Sequence, residues 1–184
     1  MRMCGCLTIV AIVMFGAGAA ASAAEPAPAY QHLKSLEKIV GDWRTVYEID
    51  GQETEGELHC KWAPGKYCLT WTAEIRAKDG GKPLSRGSAV IAWDPAEKRV
   101  RETSVMSDGT LATAYLSEQD GKLLIDRSGV MADGTRFTTR PVGAFAGDRI
   151  NFTGNELVAD DGKVLRTFKP GFFQRIEKPK RPKR

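Results

Sequence analysis

Residues 39–43 read IVGDW. Upstream of Gly41, the apolar residues Leu33, Leu36, Ile39 and Val40 recur at helical spacing. Glycine is the residue that most readily ends such a segment. Downstream of Trp43 the apolar period falls to two, the period of a strand with one face turned inward. These five residues therefore mark a switch from one short amphipathic helix to an extended chain that never returns to helix.

The chain beyond the switch is punctuated by Asp-Gly pairs at 50–51, 79–80, 108–109, 120–121, 133–134 and 161–162. Both residues tolerate the positive φ angles of tight hairpin turns. Between the pairs lie runs rich in β-branched and aromatic residues, among them RTVYEI, GELHCKW, YCLTWTAEI, GSAVIAW, TLATAYL and RINFTG, with GFFQRI last. No segment between them is long enough for a helical crossover, so the strands are antiparallel next neighbours. A meander of this length curls and closes, which also removes its edges. The expectation is an all-β fold: an antiparallel meander barrel of about 8–10 strands with one short N-terminal helix.

The ends read differently. Arg2, the apolar stretch Leu7–Phe15 and the small-x-small Ala21-Ser22-Ala23 have the form of a signal peptide over residues 1–23. The implied location is periplasmic or secreted. Cys4 and Cys6 precede the apolar stretch and would leave with it, so no lipid anchor is expected. Residues 24–29 form a Pro/Ala-rich leader, 30–176 the barrel domain, and 177–184 (EKPKRPKR) a disordered basic tail. The formal charge is +4, but without Arg2 and the tail's five basic and one acidic residues the 27 Lys+Arg and 23 Asp+Glu become 21 and 22, a net of −1. Basicity belongs to the tail, which suits weak attraction to an anionic surface. No nucleic-acid partner is expected of an exported chain. Cys60 and Cys68 remain; in an oxidising compartment they are expected to form a disulfide across a hairpin centred on Pro64. The alternative is two small buried thiols.

Catalytic equipment is sparse. Of two histidines, His32 lies on the helix and His59 on a strand. No Cys/His/carboxylate cluster has metal spacing, no glycine-rich loop opens a helix, and no serine stands on a nucleophile elbow. A metal, a cofactor and enzymatic activity are not expected. His59 as a haem ligand inside a barrel is weighed against a solvent-facing or hydrogen-bonded histidine, and the latter is preferred.

What remains is the interior. Leu69 and Trp71, Ile91 and Trp93, Leu111 and Tyr115, Leu123 and Ile125, Phe137 and Thr139, and Ile150 and Phe152 are each an even number of residues apart and share a face. Trp71, Trp93, Tyr115 and Phe137 are the candidate contacts for a small apolar or amphipathic ligand in the lumen. The competing reading is a filled barrel serving as a structural or envelope-associated accessory domain, and a more remote one is a hydrolase or isomerase using the lumen. Threonine and serine on many strands point to a moderately polar interior.

A short helix, then Gly41-x-Trp43, then a closing meander resembles the lipocalin-like (calycin) pattern. That resemblance implies that Trp43 packs across one barrel end and that Arg175, in FFQRI, lies over its indole as a cation–π partner. More of the chain, through LEKIVGDW, CKW and VIAWDPAEKRVR, is similar to a group of exported bacterial lipocalin-like (calycin-type) β-barrel domains. The group implies a fold over Leu33–Ile176, barrel closure by Gly41, Trp43 and Arg175, and no catalytic residues.

Overall fold

The computed structural model describes residues 28–80 and 82–177. The expected signal peptide, most of the leader and the tail from 178 onward lie outside them. The chain enters through helix α1 (Tyr30–Leu33), which tightens at once into a 3₁₀ helix, Lys34–Ile39. The tighter winding differs from the expected α-helix for a clear reason. No side chain caps its start, and three residues per turn bring Leu33, Leu36 and Ile39 into one row. Leu33 and Leu36 are buried, and each such side chain contributes about 2 kcal/mol of apolar burial.

Thirteen strands follow: β1 Gly41–Ile49, β2 Gln52–Trp62, β3 Leu69–Ala77, β4 Pro83–Asp94, β5 Arg99–Met106, β6 Leu111–Gln119, β7 Lys122–Val130, β8 Arg136–Thr139, β9 Val142–Ala146, β10 Arg149–Phe152, β11 Asn155–Ala159, β12 Val164–Phe168 and β13 Gly171–Arg175. Strands β1 to β7 pair in chain order, all antiparallel. The remaining six are halves of three strands. Both β8 and β9 pair with β7, and both β12 and β13 pair with β1. Between them, β11 bridges β8 to β12 and β10 bridges β9 to β13. The result is a closed ten-strand antiparallel barrel of lipocalin-like form.

The breaks fall at Pro141, at Thr153-Gly154 and at Pro170. Proline has no N–H to give to a ladder. At Gly154 a Cβ would lie 3.0 Å from the Phe168 carbonyl oxygen. The wall bends there but does not part. Lys169 N–H still donates to Glu48 O at 2.9 Å, and Thr153 N–H to Val142 O at 3.0 Å.

The helical segment plugs one end of the barrel. Leu33 and Leu36 pack there with Leu69, Ile91, Val100, Ala114, Leu116 and Leu123. The β2–β3 hairpin differs from expectation and corrects the cysteine pairing. Its register sets Trp62 opposite Leu69 and Cys60 opposite Trp71. Cys68 falls outside the ladder, in a wider turn containing the 3₁₀ segment Pro64–Lys66. Its carbonyl accepts from Ala63 N–H at 2.9 Å. A pairing centred on Pro64 is displaced by an odd number of residues, so the two side chains do not meet across the hairpin. Both thiols are buried and free.

Candidate functional site

The plugged end is fastened by the pair that the Gly-x-Trp motif brings into register. Trp43 lies opposite Arg175 on β13. It is 1 % exposed, and its Nε1–H donates to Ile39 O at 2.8 Å. The Arg175 guanidinium carbon sits 4.3 Å from the indole centroid. Its Nη1 donates to Val40 O at 2.6 Å and its Nη2 to Lys38 O at 2.8 Å. Arg175 thus supplies donors to carbonyls that the end of a helix leaves unpaired, and its charge suits that end of the helix. Gly41 has φ 141°, and a Cβ there would collide with Arg175 Nη1. Glycine is required at this position on both counts.

Below the plug the barrel encloses a cavity of about 350 Å³. Its inner end is apolar, lined by Ile39, Trp43, Leu58, Ile91, Leu116, Leu123 and Ile150. Farther out the lining turns polar. Glu102, 4 % exposed, accepts from Arg127 Nη2 through one oxygen at 2.7 Å and from Trp71 Nε1 through the other at 3.0 Å. Asn155 Nδ2 donates to Thr139 Oγ1 at 2.6 Å. Two groups of this belt lack partners although shielded from water: Thr45 Oγ1 and Arg127 Nε. Burial pushes the Tyr47 hydroxyl up to about 12, the Arg127 and Arg166 charges opposing it. Burial also pushes the Cys60 thiol up to about 12, and the Glu102 carboxylate adds to the effect. Toward the hairpin-turn end the lining passes to Met106, Asp108, Thr110, Met131 and Arg166. The Thr110 N–H holds the Asp108 carboxyl below the usual carboxylate range.

The candidate aromatics are placed unequally. Trp71 and Phe137 line the cavity. Phe137 fits against Gly129, where a Cβ would come within 2.6 Å of its ring. Trp93 instead sits at the plug, its ring stacked on His32 at 3.9 Å and 8°. Tyr115 is on the outer face, with Arg99 4.1 Å from its ring centroid; its expected lumen position is corrected, and with it that of Leu111. The reason lies in TLATAYL, which is apolar at both parities. Ala112, Ala114 and Leu116 are the buried set, and Ala114 lies opposite Glu102, where a small side chain leaves room for the carboxylate. His59 is half-exposed on the outside and bonds Asp42 Oδ1 through Nδ1 at 2.9 Å. It presents no imidazole to the lumen.

Threonine and serine on the strands point to a polar interior but not to its charged pair, Glu102 and Arg127. Its signal is present: Glu102 shares parity with Val100 in RVRETSVM, and Arg127 with Leu123 and Ile125 in KLLIDRSGV. A charge on the apolar parity of a strand is the mark of a buried pair. Among the described residues, no group of three or more His, Cys, Asp or Glu side chains is placed to hold a metal ion.

These features define a lipocalin-like barrel, plugged at one end, with a lumen apolar in depth and polar at mid-height. No protein-family model matches the chain, and no curated protein matches it. Among solved structures, Rv2717c from M. tuberculosis is similar in fold, with 18 % identity and a TM-score of 0.61 over 83 % of this chain and 100 % of that one. The S-type phycobiliprotein lyase CPES from Guillardia theta aligns with 14 % identity and a TM-score of 0.53, over 79 % and 93 %. A redesigned β-barrel, mFAP1, bound to DFHBI, overlays more loosely, with 15 % identity and a TM-score of 0.41 over 81 % and 100 %. At these identities the likeness is one of fold.

Proposed function

We propose that this chain is an exported, non-catalytic barrel that binds one small apolar or amphipathic molecule in its lumen. The observation that carries the reading is the cavity of about 350 Å³ beneath the Trp43 plug. It lies near the lower end of the 300–1,000 Å³ typical of ligand sites, and it combines an apolar depth with a few converging polar groups. Trp71 and Phe137 supply aromatic surface to such a guest. Export rests on the signal-peptide form of residues 1–23 and placement in the periplasm or outside the cell follows from it. The basic tail would add weak attraction to an anionic surface.

Native mass spectrometry of the protein purified from its source tests the reading. A co-purifying small molecule that leaves when the barrel is denatured is the expected result. A protein that is always empty, and that no apolar probe stabilises against heat, points to the accessory-domain alternative. For the tail, deletion of Lys178 to Arg184 is expected to shift envelope fractionation toward the soluble pool at low salt. Unchanged fractionation removes the surface role.

A further inference from the structure

Taken with the reading of the lumen as a ligand site, the charges along its wall specify what kind of guest it accepts. Five charged side chains line it: Glu102, Asp108, Arg127, Arg166 and Lys169. Three cations against two anions leave one positive charge. Glu102 is engaged by Arg127 and Trp71. Asp108 accepts from the Thr110 N–H and feels the Arg166 charge. Arg166 also meets Asp50, Nε to Oδ2 at 3.6 Å, a long contact between partly exposed side chains. Such a pair contributes little, and it leaves the Nη groups of Arg166 as donors. Lys169, exposed at the outer edge of the lining, has no ion-pair partner among the described residues. Tyr47 completes the set. It lines the cavity on the inward parity of β1, as Trp43 and Thr45 do. Burial pushes its hydroxyl up to about 12, with the Arg127 and Arg166 charges acting on it. At neutral pH it is therefore an uncharged O–H donor, and among the described residues no acceptor takes it. From Trp43 to Tyr47 the strand advances about 14 Å, which a barrel tilt of about 40° reduces to about 10 Å along the axis.

We propose that the lumen selects a monoanion, an apolar body about 10 Å long that ends in a carboxylate. The carboxylate accepts from the Tyr47 hydroxyl and from Arg166, and Lys169 adds its charge at the outer edge. The apolar body fills the space beneath the plug lined by Leu58, Leu123 and Ile150. A carboxylate loses hydration on entry, and charge-assisted donors offset that cost. A neutral head forgoes the attraction of the spare positive charge, and a cationic head is repelled by it.

Three probes of one length test this: octanoate, octanol and octylammonium, titrated into the full chain at neutral pH by calorimetry. Octanoate is expected to bind roughly tenfold tighter than octanol, and octylammonium more weakly than either. In the double variant Arg166→Gln with Lys169→Gln, checked for folding by its thermal melt, the advantage of octanoate over octanol is expected to fall to roughly twofold or less. Octanol itself should bind that variant as before. Tyr47→Phe, which removes only the hydroxyl, is expected to weaken octanoate several-fold and octanol less. Octanol binding as tightly as octanoate in the native protein overturns the proposal while leaving the lumen as a ligand site, and octylammonium binding tighter than octanoate does the same. An unchanged octanoate advantage in the folded double variant also overturns it. If none of the three binds, the ligand-site reading falls and this inference with it.

Discussion

At the scale of single residues, Arg175 does more than stack on an indole. It spans the last strand and the end of the N-terminal helical segment through two carbonyls, Val40 and Lys38. Lysine in its place keeps the charge but loses the fork and the flat stacking surface. Arg175→Lys is therefore expected to lower stability by about 1–3 kcal/mol, read as a lower denaturant midpoint and a change in Trp43 emission. Trp43→Ala removes a core aromatic together with its bond to Ile39 and should cost about 3–5 kcal/mol by the same measurement. Cys60 faces the lumen with its thiol pushed up to about 12, so the native protein should react slowly with an aromatic disulfide reagent at pH 8. Cys60 and Cys68 should both react on unfolding, and a reducing agent should leave the melting temperature unchanged. A drop in melting temperature on reduction would restore the disulfide.

Among the elements, the hairpins show what the Asp-Gly pairs do. At 50–51 and 120–121 the loops have two residues, with Ile49 opposite Gln52 and Gln119 opposite Lys122. Asp50 and Asp120 both take positive φ there, near 52° and 51°. This is the mirror-image turn that matches strand twist. At 108–109, 133–134 and 161–162 the aspartate instead accepts from the N–H two residues on, at Thr110, Thr135 and Lys163. One dipeptide thus serves two turn chemistries, which explains how it marked hairpins correctly without fixing their length. The plug is the other element with a measurable weight. Leu33 is fully buried, and Leu33→Ala is expected to destabilise by about 2–5 kcal/mol, with loss of the Trp93–His32 stacking signal in near-UV dichroism.

The same scale explains what was legible in the sequence. Chain order, antiparallel pairing and the closing role of the last strand follow from turns and period, and the barrel has them. A turn centred on Pro64 would set Cys60 against Cys68, but the register is fixed by Trp62 opposite Leu69, which sets Cys60 against Trp71. Tyr115 lies on a strand apolar on both faces, where periodicity alone gives no preference, and Ala112, Ala114 and Leu116 take the inner one. The lumen's charged pair went unread because Glu102 and Arg127 lie on strands distant in sequence, and only closure of the barrel brings them together. The three broken strands read as separate short runs, and nothing in their composition says which halves are collinear.

For the whole molecule, several carboxylates set the acid limit. Glu37 is held below its ordinary value by the Tyr30 hydroxyl, Glu74 by Arg86, Asp94 by the Glu97 N–H, Asp108 by the Thr110 N–H and Asp133 by the Thr135 N–H. A carboxylate with a depressed folded pKa stabilises fully above its unfolded value and loses that contribution as pH falls through the folded one. Stability should therefore hold above pH about 4.5 and decline below about 3.8, the ordinary Glu and Asp values. On the alkaline side the sign reverses. Cys60 and Tyr47 keep their protons in the folded chain to about 12, against ordinary values of 9.0 and 10.0. Ionisation of the unfolded chain then favours unfolding, so stability should fall from pH about 9 toward 12. Denaturant titrations across pH 2–12 check both limbs, and a flat profile below pH 4 would contradict the first.

The breaks at Pro141, Gly154 and Pro170 lie at the height of the polar belt: Arg127 pairs with Thr139 just before one, Asn155 follows another, and Gly171 after the third sits against Tyr47, where a Cβ would collide. On one side of that line lie the β7–β8 and β11–β12 turns; on the other, β13 carries Arg175, the clasp on the plug. The plugged end thus forms a cup, and the other end a collar without the plug's contacts. Amides of the cup should exchange with deuterium more slowly than those of the collar. A faster-exchanging rim would give such a vessel a way to fit its contents without loosening its base.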